Sequence, residues 1–181
     1  MFLTAQSRKG AAASGVATVQ SAFGASWQAV NTERKQVRSV HETWAPRTAW
    51  PRLALADEDK QWPKQFRHQA RGLLRCWKLE DLADRVDTVL TELVSNALLH
   101  GGGPAIVFRL TLAEAGLLVE VADSSPALPH VKDVCTERES GRGLLLVNAF
   151  ADAWGTRPRS DADGKWTWAA FYAPARTEGS R

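Results

Sequence analysis

The sequence has few cysteines, no long hydrophobic run and no secretory leader, and each shortage excludes a class of protein. Two cysteines among 181 residues, Cys76 and Cys135, are too few for a disulfide framework, and neither has neighbours at metal-ligand spacing. No stretch approaches the roughly 18 consecutive apolar residues of a membrane helix, and residues 1–8 lack the charged start and apolar run of a signal peptide. We therefore expect free thiols and a cytoplasmic protein without membrane contact.

Net charge is also slight, because the formal total of +3 lies in the N-terminal part of the chain. Residues 1–50 sum to +4 and the remainder sums to −1. The remainder is therefore not basic, and it contains no recognisable element that reads nucleic acid. These observations predict no direct contact with nucleic acid.

The first 45 residues contain few large apolar side chains, which is typical of a largely disordered extension. A helix is possible between Val16 and Val40, although Gly24 weakens it. Pro46 then marks a boundary. The predicted division is an N-terminal extension at 1–45, a folded domain at 46–176 and a flexible tail at 177–181.

The most regular pattern lies between residues 80 and 99 and predicts an amphipathic helix. Thr88, Glu92, Asn96 and His100 recur every four residues, so they form one polar line. The opposite stripe is apolar at the i, i+3, i+4 spacing and contains Val86, Val89, Leu90, Leu93, Val94, Ala97 and Leu98. Three glycines then end the helix. By itself, a polar line opposite an apolar stripe most often meets only water.

Shorter patterns predict the other elements. A helix with an expected N-cap at Asp57 extends to Trp77, and an apolar helix runs from Leu144 to Trp154. Residues 123–140 are turn-forming and polar, which is typical of a lid, a binding loop or disorder. Strands are predicted at 52–56, 105–111, 117–122, 154–159 and 165–172. The expected fold is an α+β two-layer sandwich, a mixed, mostly antiparallel sheet of about five strands with three helices on one face.

Three segments resemble the sequence boxes of one ATPase superfamily. Glu92-Leu-Val-Ser-Asn-Ala-Leu-Leu-His-Gly101 resembles the N box of the GHKL (Bergerat-fold) ATPases. Asp123-Ser-Ser-Pro-Ala-Leu-Pro129 and Glu139-Ser-Gly-Arg-Gly-Leu-Leu-Leu-Val147 resemble the two following boxes of the anti-sigma-factor serine kinase branch. The resemblance covers roughly residues 52–174. It implies ATP and Mg²⁺ as cofactors and transfer of the γ-phosphate to serine or threonine of an antagonist protein. It also implies a sigma factor as a partner to sequester, and a homodimer.

At the phosphate end, the resemblance implies that Asn96 holds Mg²⁺ and that Glu92 takes a proton from the attacking hydroxyl or water. Magnesium keeps waters and substrate phosphates in its shell, so one amide oxygen is a reasonable sole protein ligand. Gly141 and Gly143 would let backbone amides approach phosphate oxygens at a helix N-terminus. Arg142 either touches a phosphate or points to solvent.

At the base end, the resemblance implies that Asp123 accepts a hydrogen bond from the adenine amino group and that His100 caps or lines the pocket. The late threonine of the family would fall at Trp166, with Thr167 one place further along. Because a shift of one residue turns a strand side chain to the other face, an adenine contact from Thr167 stays open.

Two other functions are compatible with the sequence. One is a non-catalytic binding module in which ATP only orders the loop at 127–140. The other is a scaffold without nucleotide binding, which Trp166 makes conceivable. A sensor histidine kinase is disfavoured, because the sequence shows no dimerisation hairpin with a phosphoacceptor histidine and His68 lies on a helix that the core needs.

Overall fold

The computed structural model describes residues 4–7, 37–48, 56–114, 116–127 and 143–172, and at residues 4–7 it describes the backbone alone. The α-helices of these ranges are α1 (Trp62–Trp77), α2 (Ala83–His100) and α3 (Gly143–Phe150). None of these helices is long and apolar enough to cross a membrane. The strands are β1 (Thr4–Ser7), β2 (Val37–Pro46), β3 (Ala105–Ala113), β4 (Gly116–Asp123), β5 (Ala153–Pro158) and β6 (Lys165–Tyr172).

The strands form one sheet in the order β1-β5-β6-β4-β3-β2, and every neighbouring pair is antiparallel. Helix α2 packs against β3, β4 and β6, and both α1 and α3 pack against α2. Buried side chains of the three helices and of β2 to β6 share one hydrophobic core. The predicted two-layer α+β fold is confirmed. The described sheet has six strands rather than about five, and its strand pairs are antiparallel rather than mixed.

Helix α1 holds one edge of the core through a side that repeats every four residues and contains Phe66, Ala70 and Leu74. The ring of Phe66 stacks on that of Phe108 in β3, with centroids 4.9 Å apart. Asp57 is the N-cap residue of a preceding 3₁₀ turn and not of the α-helix itself, and its side chain caps no backbone N–H but binds Lys60. A 3₁₀ turn, Glu58–Gln61, precedes the helix.

Helix α2 buries the predicted apolar stripe in full. Its C-terminal carbonyls are met by Arg47, whose guanidinium donates hydrogen bonds to the carbonyl of Leu98 at 2.9 Å and to that of Gly103 at 3.4 Å. Gly102 and Gly103 have φ angles of 60° and 84°, which a residue with a Cβ rarely adopts. The glycines therefore end the helix, as expected.

Strand β2 is the main difference from the sequence-based expectation. Val37–Pro46 pairs along β3, although the sequence assigned most of these residues to the extension and included Val40 in a possible helix. The inner face of β2 is partly polar. Thr43 donates a 3.0 Å hydrogen bond to Gln69 of α1, and only Ala45 is fully buried. Because this face contains both polar and apolar residues, the sequence of β2 lacks the regular apolar alternation that predicts a strand. The predicted strand at 52–56 lies almost wholly outside the described residues.

Two further boundaries change. Backbone pairing with β5 makes Thr4–Ser7 a strand, although residues 1–45 were expected to form a largely disordered extension. Helix α3 ends at Phe150 instead of continuing to Trp154, and Trp154 and Gly155 belong to β5. The apolar run from residue 144 to 154 therefore contains a helix followed by a strand, which periodicity cannot separate.

The sheet face opposite the helices carries an aromatic and charged cluster. Trp166 is 3% exposed and lies under the guanidinium groups of Arg109 at 4.1 Å and Arg157 at 5.2 Å from its ring centroid. Glu120, 2% exposed, accepts a 2.8 Å hydrogen bond from Arg157 and lies 3.7 Å from Arg109. Strand alternation places this cluster away from the helix-covered face.

Candidate functional site

Some side chains in the polar line of α2 form hydrogen bonds within the helix, and others have no partner among the described residues. Thr88 donates its hydroxyl to the carbonyl of Asp84, a common arrangement within a helix. Glu92 and Asn96 are half-buried, and within the described residues neither side chain forms a hydrogen bond or an ion pair. Burial raises the pKa of the Glu92 carboxyl above its usual range. A half-buried carboxylate with raised basicity and no partner among the described residues is suited to accepting a proton.

Gly143 brings the start of α3 against these two side chains. A Cβ on Gly143 would lie 2.5 Å from Oε2 of Glu92 and 3.7 Å from Nδ2 of Asn96. Only a residue without a side chain fits here without displacing the carboxylate. The N-terminus of α3 therefore faces the carboxylate and the amide, as the sequence boxes predicted. Gly141 and Arg142 lie outside the described residues, so their phosphate contacts stay predictions.

Asp123 ends β4 and is almost completely buried, with 3% of its surface exposed. Its Oδ1 accepts a 2.9 Å hydrogen bond from Nζ of Lys165 and a 2.8 Å hydrogen bond from the backbone N–H of Ser125. The same ammonium donates a 3.0 Å hydrogen bond to the carbonyl of Ser125. Burial raises the pKa of the Asp123 carboxyl, and the hydrogen bonds from Lys165 and Ser125 oppose that rise.

Glycines surround Asp123 and allow close packing. A Cβ on Gly101 would lie 2.8 Å from Cγ of Asp123, and one on Gly103 would lie 2.5 Å from Cβ of Ser124. Gly164, with a φ of 112°, meets the carbonyl of Asp123 from the turn between β5 and β6. The glycine tail of α2 therefore positions the acidic residue besides ending the helix. Gly101 is nine residues beyond Glu92, so the site extends about 13 Å along α2.

The register of β6 settles which face Thr167 occupies. Asp123 pairs with Lys165 and Val121 pairs with Thr167, so both β6 residues share the helix-covered face with their partners. Trp166 lies between them and points to the opposite face. Thr167 is buried, with 8% of its surface exposed, and lies on the same face of the sheet as Asp123. Whether it contacts a base stays a prediction.

Two residues at the base end need separate mention. His100 is exposed at the end of α2, and within the described residues it forms no hydrogen bond or ion pair, so its pocket role stays a prediction. The sequence alone does not indicate Lys165, because a lysine that begins a strand resembles a surface residue. Its only signal was its position directly opposite Asp123, which requires the strand register.

Comparison with known proteins decides the family. A family profile for the histidine kinase-like ATPase domain matches residues 55–171. The chain belongs to this family. This result confirms the ATPase superfamily that the three sequence boxes indicated, and it does not distinguish the anti-sigma-factor branch.

Individual relatives of this histidine kinase-like ATPase domain agree at a coarse level. The chain is 32% identical over 80 residues to the signal transduction histidine-protein kinase AfsQ2 of Streptomyces coelicolor. That match covers 44% of this chain and 13% of AfsQ2. A chain in the crystal structure of the SiaB–SiaC complex from Pseudomonas aeruginosa has the same fold, with a TM-score of 0.50 and 14% identity over 83% of this chain and 100% of that chain.

The polar groups of the described site are compatible with a nucleotide that carries Mg²⁺. Within the described ranges no three His, Cys, Asp or Glu side chains gather as a metal cluster, so a divalent ion would depend on the Asn96 amide and on phosphate oxygens. The start of α3 can lie this close to the Glu92 carboxylate because Gly143 has no Cβ. Backbone N–H groups at a helix N-terminus are suited to binding phosphate oxygens. Asp123 offers the acceptor that an amino group of a base needs.

Proposed function

We propose that the protein binds ATP with Mg²⁺ between α2, α3 and the end of β4, and transfers the γ-phosphate to a serine or threonine of an antagonist protein. The observation that supports this most is the placement of Glu92 and Asn96, one turn apart and without described partners, against the start of α3. A carboxylate and an amide oxygen serve a proton transfer and a metal ion, respectively.

Each residue has a stated task in this proposal. When bound, Mg²⁺ neutralises phosphate charge and the γ-phosphoryl group is the one transferred. The amide oxygen of Asn96 holds the ion. Glu92 accepts the proton of the acceptor hydroxyl, for which its raised pKa is favourable. Gly143, with Gly141 and Arg142, contacts phosphate oxygens, while Asp123 accepts a hydrogen bond from the amino group of adenine.

The partners belong to the same proposal. We expect an antagonist protein as phosphate acceptor, a sigma factor that is sequestered, a homodimer and a cytoplasmic location, without direct contact with nucleic acid or membrane. The resemblance of residues 123–129 and 139–147 to the boxes of the anti-sigma-factor branch supports this assignment. The likeness to a histidine-protein kinase supports phosphoryl transfer in general.

The first test measures ATP binding to the full chain by calorimetry, with Mg²⁺ and with EDTA. We expect saturable binding that weakens at least tenfold without the metal, and the same loss in Asn96→Ala even when Mg²⁺ is present. Asn148→Ala is a matched control, because Asn148 is exposed on the far part of α3 and is expected to leave binding unchanged. No ATP binding at all would select the scaffold without nucleotide binding.

The second test follows labelled phosphate from ATP to candidate antagonist proteins. We expect transfer that falls at least about a hundredfold in Glu92→Gln while ATP affinity stays within a few-fold, because the amide keeps the shape and loses the base. Phosphoserine and phosphothreonine survive acid, whereas phosphohistidine does not. An acid-labile product would therefore contradict the proposed acceptor and indicate a histidine instead.

A non-catalytic module is the second candidate. The structural neighbour was solved as a complex of two proteins, which favours partner binding as a use of this fold. In this case ATP changes the affinity for a partner and no phosphate is transferred. Partner binding is measured with labelled ATP and with a non-hydrolysable analogue. A non-catalytic module binds its partner equally with both nucleotides and leaves the partner unlabelled, whereas a kinase transfers the label from ATP to the partner.

A further inference from the structure

We propose that Lys165 is a base-recognition residue that donates a hydrogen bond directly to N1 of adenine. The neighbouring amino group of adenine donates its hydrogen bond to Asp123. This inference rests on the proposed ATP binding and adds a specificity residue to it. No sequence box contains Lys165, and its place becomes visible only through the pairing of β4 with β6.

The ammonium is held at the site by burial and by two hydrogen bonds. Lys165 is 7% exposed, and Nζ donates to Oδ1 of Asp123 at 2.9 Å and to the carbonyl of Ser125 at 3.0 Å. A lysine ammonium has three N–H donors. Within the described residues the third donor has no acceptor, and a buried donor without an acceptor is costly. A bound base would supply the missing acceptor.

The carboxylate of Asp123 has one oxygen without a hydrogen-bond donor among the described residues. Oδ1 of Asp123 is occupied by Lys165 and Ser125, whereas Oδ2 accepts no hydrogen bond from the described residues. An acceptor, Oδ2, and a donor, Nζ, therefore lie next to each other on the helix-covered face. The edge of adenine presents the complementary pair, the donating amino group and the accepting N1.

The same pair excludes guanine in this orientation. Guanine presents a carbonyl where adenine has the amino group, and a protonated N1 where adenine has an acceptor. Its O6 would meet the Asp123 carboxylate and its N1–H would meet the Lys165 ammonium, so both hydrogen bonds would become repulsions. Lys165 thus turns the base end from a single contact into a two-point reading of adenine.

The test changes one atom of the ligand and leaves the wild-type protein intact. Calorimetry compares ATP, 1-deaza-ATP, which lacks the N1 acceptor, and 7-deaza-ATP as matched control. A charged donor that loses its acceptor predicts at least about tenfold weaker binding of 1-deaza-ATP. We expect 7-deaza-ATP to bind within about twofold of ATP, since no described residue is assigned to N7.

Variants then assign the effect to Lys165. Lys165→Met, which removes every N–H donor, should bind ATP and 1-deaza-ATP equally. Its discrimination against GTP should weaken without vanishing, because O6 of guanine still meets the Asp123 carboxylate. Lys165→Gln keeps an uncharged donor and should show an intermediate ratio, and it serves as the measured variant if the methionine protein does not fold.

The outcomes are distinct. Equal binding of ATP and 1-deaza-ATP by the wild type overturns the role of Lys165 and leaves the proposed function standing. The same conclusion follows if the substituted proteins still discriminate as the wild type does, because another group must then read N1. Failure of the wild type to bind any of the three nucleotides overturns the proposed function and this inference together.

Discussion

At the scale of single residues, the two carboxylates of the site differ, because Asp123 is hydrogen-bonded and Glu92 is not bonded to any described residue. Asp123 is held by a buried ammonium and a backbone N–H, whereas Glu92 has no described partner. Burial raises the pKa of both, but only at Asp123 do hydrogen bonds oppose it. Different environments give different tasks, so the paired carboxylate suits recognition and the unpaired one suits proton transfer.

The unpaired state of Glu92 predicts a stability gain on neutralisation. Because the folded-state pKa is raised, the folded protein binds the proton more tightly than the unfolded chain does, and stability falls as pH rises from about the ordinary value of 4.5 through the raised value. Glu92→Gln removes this loss. We expect the variant to melt at a higher temperature than the wild type at pH 8.

The control for this prediction is the pH itself. Below pH 4 the carboxyl is protonated in both states, so the melting temperatures of the wild type and Glu92→Gln should converge. A glutamine variant that is less stable than the wild type at pH 8 would mean that Glu92 has a stabilising cationic partner. The measurement is differential scanning calorimetry between pH 3.5 and pH 8.

At the scale of elements, the two faces of the sheet are stabilised differently. The inner face of β3 and β4 is apolar and packs against α2. On the outer face, Glu120 binds Arg157 and Arg109, and both guanidinium groups also cover Trp166. Arg109 also binds Glu42 of β2 at 2.6 Å, so this cluster connects five strands, β2 to β6, across the sheet.

The buried carboxylate of this cluster predicts a measurable cost. Glu120→Gln keeps the size of the side chain but leaves Arg157 without its main counter-charge, and removing one partner from a buried ion pair costs about 3–5 kcal/mol. Asp57→Asn is the matched control, because its partner Lys60 and Asp57 itself are largely exposed. Urea unfolding should show the loss for Glu120 and no change for Asp57. If the two variants had the same urea midpoint, the cluster around Glu120 would not contribute to stability.

At the scale of the whole molecule, the sheet extends well beyond the sequence boxes. Strands β3, β4 and β6 lie at its centre, and β2 closes one side with residues that precede the expected domain boundary at 46. Ala45 is fully buried in the common core, and Thr43 binds Gln69 of α1. The folded unit therefore includes a segment that no motif identifies.

A pair of substitutions in β2 tests this extension. Ala45→Glu would bury a charge in the common core and should unfold β2 or the whole domain, with a loss of several kcal/mol. Val40→Glu, on the same strand but 55% exposed, should change stability little. Circular dichroism during thermal unfolding compares the two. Equal stability would show that β2 contributes nothing to the fold.

Much of the site was predictable because it lies in local sequence. The spacing of Glu92 and Asn96, the glycines after His100 and the turn after Asp123 follow from helix period and turn chemistry over short distances. The family profile confirms the superfamily that these boxes indicated. Strand β2 was missed because the inner face of an edge strand is half polar, and local pattern cannot distinguish such a strand from an irregular extension.

By itself, then, the sequence determined the ATPase superfamily through the resemblance of its three boxes. It also determined the two-layer fold and the line of Glu92 and Asn96 on α2, because helix and strand patterns depend on residues only two to four positions apart. Only the tertiary structure decided that Lys165 faces Asp123, that Thr167 shares their face and that Trp166 does not. These relations depend on the pairing of strands more than forty residues apart, and a shift of one residue would reverse every one of them.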